Sequence, residues 1–318
     1  MPSPSLSPTA FPSFSPTPVA TPTPTLTPEP EWYRPLDERY ARMEYRYGLV
    51  TNPRARVYAT LDDALKRTGN FGYLRTAPAY VSVVGEAERE GRKFYAVYYG
   101  WMEVGEVQLI SPSTFRGVLL TRPVDFRFGW VLTEMQSTNR LGEPVHTYRR
   151  YDVVHEVSVA EPRPGWFAVG PDEWLPEEAL AITRAAVPED AKACRFLYVD
   201  LAEQTLRVYH ECRLVFATLV STGREKGWTF PGRFAILQKF PYIHLSPPAG
   251  SLSVYYLEGV PHFMSYSGDW GFHAAYWHDE FGTPVSHGCV NLSPADARWL
   301  YEWAQIGERV IISAEEEP

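Results

Sequence analysis

Alternating and short apolar runs dominate the middle of the chain. Tyr80–Val84, Lys93–Tyr99 and Trp101–Ile110 alternate or run apolar, with punctuation at Gly91, Gly100 and Pro112, and predict strands from Tyr73 to about Leu180. Upstream, between Trp32 and Gly69, the sequence is charged and mixed, and Glu38–Gly48 (ERYARMEYRYG) predicts a short helix ended by Gly48. Gly165-Trp166-Phe167-Ala168-Val169-Gly170 leads through Pro171-Asp172 into Glu173-Trp174-Leu175, an aromatic hairpin. Val187-Pro188-Glu189-Asp190 reads as a boundary. Beyond it, Arg195–Asp200 and Thr205–His210 predict a hairpin turning over Leu201–Gln204, with one buried and one wetter face. Leu214–Val220, Arg233–Gln238 and Ser253–Leu257 follow as strands. Ser293 as N-cap, Pro294 at N1 and Asp296 in the first turn open a helix whose apolar positions are Ala297, Leu300, Tyr301 and Ala304; Gly307 ends it. Arg309–Ile312 is a closing strand.

Composition narrows the function. The 318 residues suffice for about two domains, and 45% apolar content supports a sizeable core. A net charge of −8 argues against a general nucleic-acid binder, which needs a basic face for phosphates. No window approaches 18 uninterrupted apolar residues, so no transmembrane helix is visible. Three cysteines are too few for a disulfide-stapled miniature fold. Residues 1–30 hold ten Pro and eleven Ser or Thr, which excludes a helix or a central strand and predicts an extended polyproline-II spacer. No Lys or Arg precedes Arg34, so a secretory n-region is not visible. The spacer reads either as a terminal extension or as a stalk below an outer domain, with a membrane anchor upstream of it and outside this sequence.

The chemistry concentrates between Gly271 and Pro294. A thiol becomes a nucleophile once ionised, and a nearby imidazole can take its proton. His273 lies sixteen positions before Cys289 and His287 two before it. Gly288 lets the chain turn sharply at the sulfur, so that main-chain N–H groups can meet an oxyanion. Two other readings stay open on these residues alone. Cys289 is a buried small hydrophobe, or His273, His287 and Cys289 are zinc ligands, with His278 or Asp279 as a fourth.

Ser286-His287-Gly288-Cys289-Val290-Asn291, preceded by His273, resembles the signature of the L,D-transpeptidase family, the YkuD-type catalytic domain. The resemblance covers about residues 193–314 and includes the Tyr198–Tyr209 hairpin, Ser221-Thr222-Gly223 and Pro231-Gly232-Arg233-Phe234. It implies a β-sandwich catalytic domain with a short helix, acting by acyl transfer on the tetrapeptide stems of peptidoglycan. In that reading Cys289 attacks the carbonyl of the third stem residue and releases D-alanine, while His273 is general base and then acid. Backbone groups of His287, Gly288 and Cys289 form the oxyanion hole, and Ser286 and His287 shape the loop. Asn291 holds substrate or loop, and Tyr266 lines the acyl pocket or packs as a strand aromatic. Ala274 stands where the family more often has Gly or Ser, which preserves a backbone role and removes a hydroxyl. Thr229-Phe230-Pro231 departs from the family at a structural turn. The hairpin at Gly165–Leu175, and Phe94–Leu109 with Tyr99-Gly100-Trp101, resemble closing strands of bacterial SH3-like barrels; the alternative is a small β spacer domain.

The fold expected is therefore mainly β: a disordered stalk over 1–31, a β-rich and SH3-like region over 32–190, the catalytic domain over 191–314 and an acidic tail over 315–318. His278 is expected on a surface loop. If the hairpin turns near Ala202-Glu203, paired positions sum to about 405, and Cys194 and Cys212 sum to 406, near neighbours across the ladder that can form a disulfide in an oxidising compartment. Cys289 is then the free thiol. No metal, nucleotide or redox cofactor is suggested. The resemblance further implies a place in cell-wall biogenesis and cell shape, an extracytoplasmic location in the cell envelope, and acylation by carbapenems. Hydrolysis on the same stems, an L,D-carboxypeptidase, is one alternative function; a non-catalytic wall-binding protein is the other. The diamino acid, the acceptor and the oligomeric state are not set by the sequence.

Overall fold

The hairpin of Phe196–Asp200 and Thr205–His210 forms where alternation puts it, with Phe196 opposite Tyr209 and Asp200 opposite Thr205. Its turn is held by Asp200, whose Oδ1 accepts from Ala202 N and Glu203 N, both at 3.0 Å. In the computed structural model, which describes residues 31–73, 78–187, 194–247 and 255–314, this hairpin is the centre of a seven-stranded sheet. Arg213–Leu219 continues it antiparallel, while Arg309–Ser313 runs parallel to Phe196–Asp200 and carries Gly232–Ala235 on its other side. The far edge is completed by Val118–Leu120 and Tyr33–Pro35. The Pro-rich leader up to 30, the boundary at 188–190, the first residues of the strand expected from Ser253 and the acidic tail lie outside the described residues. The disulfide Cys194–Cys212 closes the open end of the hairpin, as the pairing arithmetic anticipates.

Both faces of this sheet are covered, where the sequence pattern predicts one wetter face. Leu197, Val199, Leu206, Val208 and Phe216 pack against Met264, Phe272, Val290 and Leu292 of a second sheet, and against Ala297 and Leu300 of the helix Pro294–Trp303. Phe196, Tyr198, Tyr209 and Ala217 face the other way, into Trp32, Phe115, Phe128, Trp130 and Ala181. Alternation marks which residues share a face; it does not say what covers that face, and here the N-terminal half covers it.

The second sheet has eleven strands. Its axis is the twelve-residue strand Tyr256–Ser267, which pairs with Gln238–Leu245 and Trp270–Ala274 and joins Ala79–Arg89 in parallel through Tyr256 opposite Ala79. Segment Glu38–Gly48 departs from its predicted helix: a 3-10 turn spans Glu38–Ala41, and Arg46–Val50 is a strand between Ala79–Arg89 and Val107–Ile110. Tyr47 explains the change. Its ring stacks on Tyr276 at 3.7 Å and its hydroxyl donates to Gly259 O at 2.8 Å, a buried site that only the strand conformation reaches. A short helix at Leu61–Lys66, capped by Thr60, escapes the sequence pattern.

Residues 128–183 form two small sheets around Val131, Phe167, Leu175 and Leu180. The predicted aromatic hairpin is present here, with Phe167 opposite Leu175, whereas strands of the Phe94–Leu109 stretch belong to the eleven-stranded sheet. Among the described residues no helix is long and apolar enough to cross a membrane.

Candidate active site

Two short parallel strands position the candidate chemistry. Trp270–Ala274 and Val290–Leu292 pair with Phe272 opposite Val290 and His273 opposite Asn291. Phe272, Ala274, Val290 and Leu292 enter the core, so period-2 alternation turns His273 and Asn291 to the other face. Cys289 immediately precedes Val290, level with Gly271. The Gly271 N–H faces its sulfur, and the thiol donates to Asp269 O at 3.7 Å. Gly271 lies two residues before His273 on the same strand, so thiol and imidazole share one face.

Burial sets the resting protonation. The half-buried Cys289 thiol is pushed up to about 11 by desolvation, against the opposing pull of the Gly271 N–H. His273 is 2% exposed and burial lowers it to about 4. It is therefore neutral, and because a carbonyl only accepts, the 3.1 Å contact to Ala274 O places its proton on Nδ1. Nε2 is left as the basic nitrogen. Ala274 thus meets the need for a backbone carbonyl after the histidine.

The loop from Ala275 to Gly288 is strapped to the end of Arg213–Leu219. Ser221 pairs with Asn291 and Gly223 with Ser286 in isolated bridges, and Ser221 Oγ donates to Thr283 O. Ser286 Oγ donates to Cys289 O at 2.6 Å and accepts from Gly288 N at 3.0 Å, so the Gly288 N–H is held within the loop. Thr229 Oγ1 adds a bond to Gly288 O at 2.7 Å. Gly288 has φ +124°, and a Cβ there would meet Trp270 Nε1 at 2.5 Å and Trp228 O at 2.7 Å.

The remaining motif residues separate by burial. His287 is exposed, its ring between Trp228 at 5.4 Å and Tyr255 at 4.9 Å. Tyr266 is 3% exposed and packs on Phe234 and Phe272, its buried hydroxyl without a partner; burial and the nearby Cys289 both raise its pKa. His278, expected on a surface loop, is half-buried instead, with Nε2 3.0 Å from the Asn291 side-chain amide. Its Nδ1 accepts from Glu280 N at 3.1 Å, so Nε2 carries the proton. Asn291 Oδ1 has no other partner, and an Nε2–H needs an acceptor. The amide is therefore oriented with its oxygen toward His278 and its NH2 group away from it. Trp228, Tyr255 and Trp270 are the residues around the turn that sequence reasoning did not single out: Trp228 and Tyr255 flank the His287 ring and Trp270 lies against Gly288, contacts that no local spacing announces. Among the described residues no cluster of three or more His, Cys, Asp or Glu stands where it could hold a metal ion.

A two-sheet β architecture with a free thiol and a buried neutral imidazole on one sheet face is a scaffold suited to acyl transfer. The family model of the YkuD L,D-transpeptidase catalytic domain matches residues 195–312, and this segment carries that domain. No curated protein matches the chain. Among solved structures, an L,D-transpeptidase from Stackebrandtia nassauensis is 30% identical over 40% of this chain and 59% of its own, with TM-score 0.32. An L,D-transpeptidase from Mycobacterium smegmatis is 22% identical over 63% and 90%, with TM-score 0.36. The catalytic domain of the E. faecium L,D-transpeptidase acylated by ertapenem is 23% identical over 37% and 96%, with TM-score 0.34. The chain spans 50% of the length of an Enterococcus faecium L,D-transpeptidase, the C442S mutant, that it also matches.

Proposed function

We propose that this chain is a cysteine-dependent L,D-transpeptidase acting on peptidoglycan tetrapeptide stems. The parallel register that puts Cys289, beside the Gly271 N–H, on the same sheet face as His273 carries the reading; the family match at 195–312 supports it. His273 Nε2 takes the thiol proton as sulfur attacks the acyl carbon of the third stem residue. The oxyanion draws on the N–H groups of the His287–Cys289 turn, chiefly that of Cys289 because Gly288 N already serves Ser286. The C–N bond to the terminal D-alanine breaks, and His273 returns the proton to the departing amine. An acceptor amine then gives its proton to Nε2, forms the new amide and releases the Cys289 thiol. Asn291 and the Trp228–Tyr255–Trp270 mouth orient the stem. The Cys194–Cys212 disulfide supports a location outside the cytoplasm, at the cell envelope.

The test is intact-mass spectrometry after incubation with ertapenem. A one-to-one adduct on the native protein that is absent from Cys289→Ala is the expected result. An adduct that survives in Cys289→Ala, or no adduct on folded protein whose Cys289 titrates as a free thiol, overturns the reading.

A further inference from the structure

The loop Ala275–Gly288 is held from two sides. One side is tied to the catalytic sheet: Gly282 N donates to Val220 O at 2.9 Å, beside the Ser221 and Gly223 contacts. Its crest at residues 278–281 meets the N-terminal half instead, and there the polar contacts converge on Asp279. Ser113 Oγ donates to Asp279 Oδ1. Tyr151 OH donates to Asp279 O at 2.7 Å and lies 3.4 Å from Oδ1. Arg150 Nη1 stands 3.7 Å from Oδ2, but both side chains are exposed, so that ion pair is screened and weak. The two hydroxyls therefore make the hold.

Tyr151 is itself held in an uncommon conformation. Its φ is +73°, a region that a bulky residue rarely enters. Tyr151 N donates to Val131 O at 2.7 Å, and its ring packs 4.5 Å from Phe115. Phe115 also stacks 5.9 Å from Phe281, so one buried ring touches both the tyrosine and the loop. Such backbone strain persists only where the surroundings over-determine it, and it clusters at functional sites. The neighbours of Asp279 show what the strain serves. Glu280 N fixes His278 Nδ1 at 3.1 Å, and His278 Nε2 meets the Asn291 amide at 3.0 Å, opposite His273 in the register. Asp279 lies between His278 and Glu280, so anchoring it sets the turn that aims the imidazole. We propose that Tyr151 and Ser113 are positioning residues: by anchoring Asp279 they hold His278 on Asn291, and through it they support acyl transfer at Cys289. The hold on His278 stands on geometry alone; its consequence for acylation rests on the L,D-transpeptidase reading.

Tyr151→Phe deletes the hydroxyl and keeps the ring, which makes it the test in the full chain. With nitrogen-15-labelled histidine, the His278 resonances are assigned by their loss in His278→Gln. The native protein is expected to show His278 as a single Nε2–H tautomer, and Tyr151→Phe to move its ring nitrogens toward tautomer-averaged shifts. The limiting rate of ertapenem acylation is expected to fall roughly threefold or more in Tyr151→Phe, with the half-saturating concentration unchanged. Tyr151→Phe is expected to add nothing further to His278→Ala, because the two act through one contact. Asp279→Ala should slow acylation as well, whereas Asp279→Asn, which keeps an acceptor for Ser113, should retain most of the rate. Unchanged His278 resonances in Tyr151→Phe overturn the proposal whether or not Cys289 is acylated. A native limiting rate in Tyr151→Phe, equal slowing on the native and His278→Ala backgrounds, or an effect confined to half-saturation also overturns it. Failure of ertapenem to acylate the native protein counts against the transpeptidase reading, and the resonances then decide the hold on His278.

Discussion

Burial that holds Cys289 near 11 and His273 near 4 means that the resting pair is thiol and imidazole, not thiolate and imidazolium. In the proposed mechanism ionisation then accompanies attack, and the Nδ1 bond to Ala274 O serves it by fixing the tautomer that leaves Nε2 basic. Alkylation of Cys289 by iodoacetamide is expected to climb about tenfold per pH unit between 7 and 10. A plateau reached below pH 8 would contradict a neutral resting pair. His278 works one contact further out, through the Asn291 amide. Removing its donor in His278→Ala leaves a buried amide oxygen unpaired and is expected to slow ertapenem acylation roughly tenfold, about 1.4 kcal/mol. His278→Gln retains an N–H and recovers most of that rate; equal slowing in both variants would show a purely structural role.

Strand and loop together aim the thiol. Val290–Leu292 is only three residues long, yet it is fixed by its register on Trp270–Ala274 and by a core on its other face. The turn before it is fixed by Gly288, whose φ of +124° and contacts with Trp270 and Trp228 exclude any side chain. Gly288→Ala is expected to cost about 1–3 kcal/mol of stability from strain and to displace the sulfur. Since misplacement by about 1 Å is worth roughly 10²-fold in rate, ertapenem acylation should fall by that order while the protein still unfolds cooperatively on heating. Acylation at the native rate would show that the turn tolerates a Cβ.

Across the whole molecule, buried carboxylates tie together segments distant in sequence. Glu258, 1% exposed, accepts from Tyr98 N at 2.6 Å, and burial raises it to about 7. Asp296, fully buried, accepts from Gly117 N at 2.8 Å and Thr218 Oγ1 at 2.6 Å, and burial raises it to about 6. Both folded-state values lie above the ordinary carboxylate range, so across that window the folded protein binds more protons than the unfolded chain. Their contribution therefore favours folding at low pH and is lost as pH rises from about 4 to 7. For Glu258 the shift corresponds to on the order of 3 kcal/mol. Urea unfolding at pH 5 and pH 8 should show the native protein losing more stability between those values than Glu258→Gln does; equal losses would mean that Glu258 ionises freely in the fold.

Much of this was local enough to read directly. The Phe196–His210 hairpin, the Pro294 helix and the Cys194–Cys212 pairing follow from period, caps and register, because each depends on neighbours within about twenty residues. The Ser286–Asn291 string carried the family resemblance for the same reason. Tertiary structure decided what lies across long separations. Tyr47 became a strand residue because Tyr276 stacks on it, the second face of the hairpin was buried because Trp32, Phe128 and Trp130 cover it, and His278 left the surface for Asn291. Periodicity reports which side chains share a face. Which distant segment covers that face, and how far its burial moves a pKa, is settled only when the chain closes on itself.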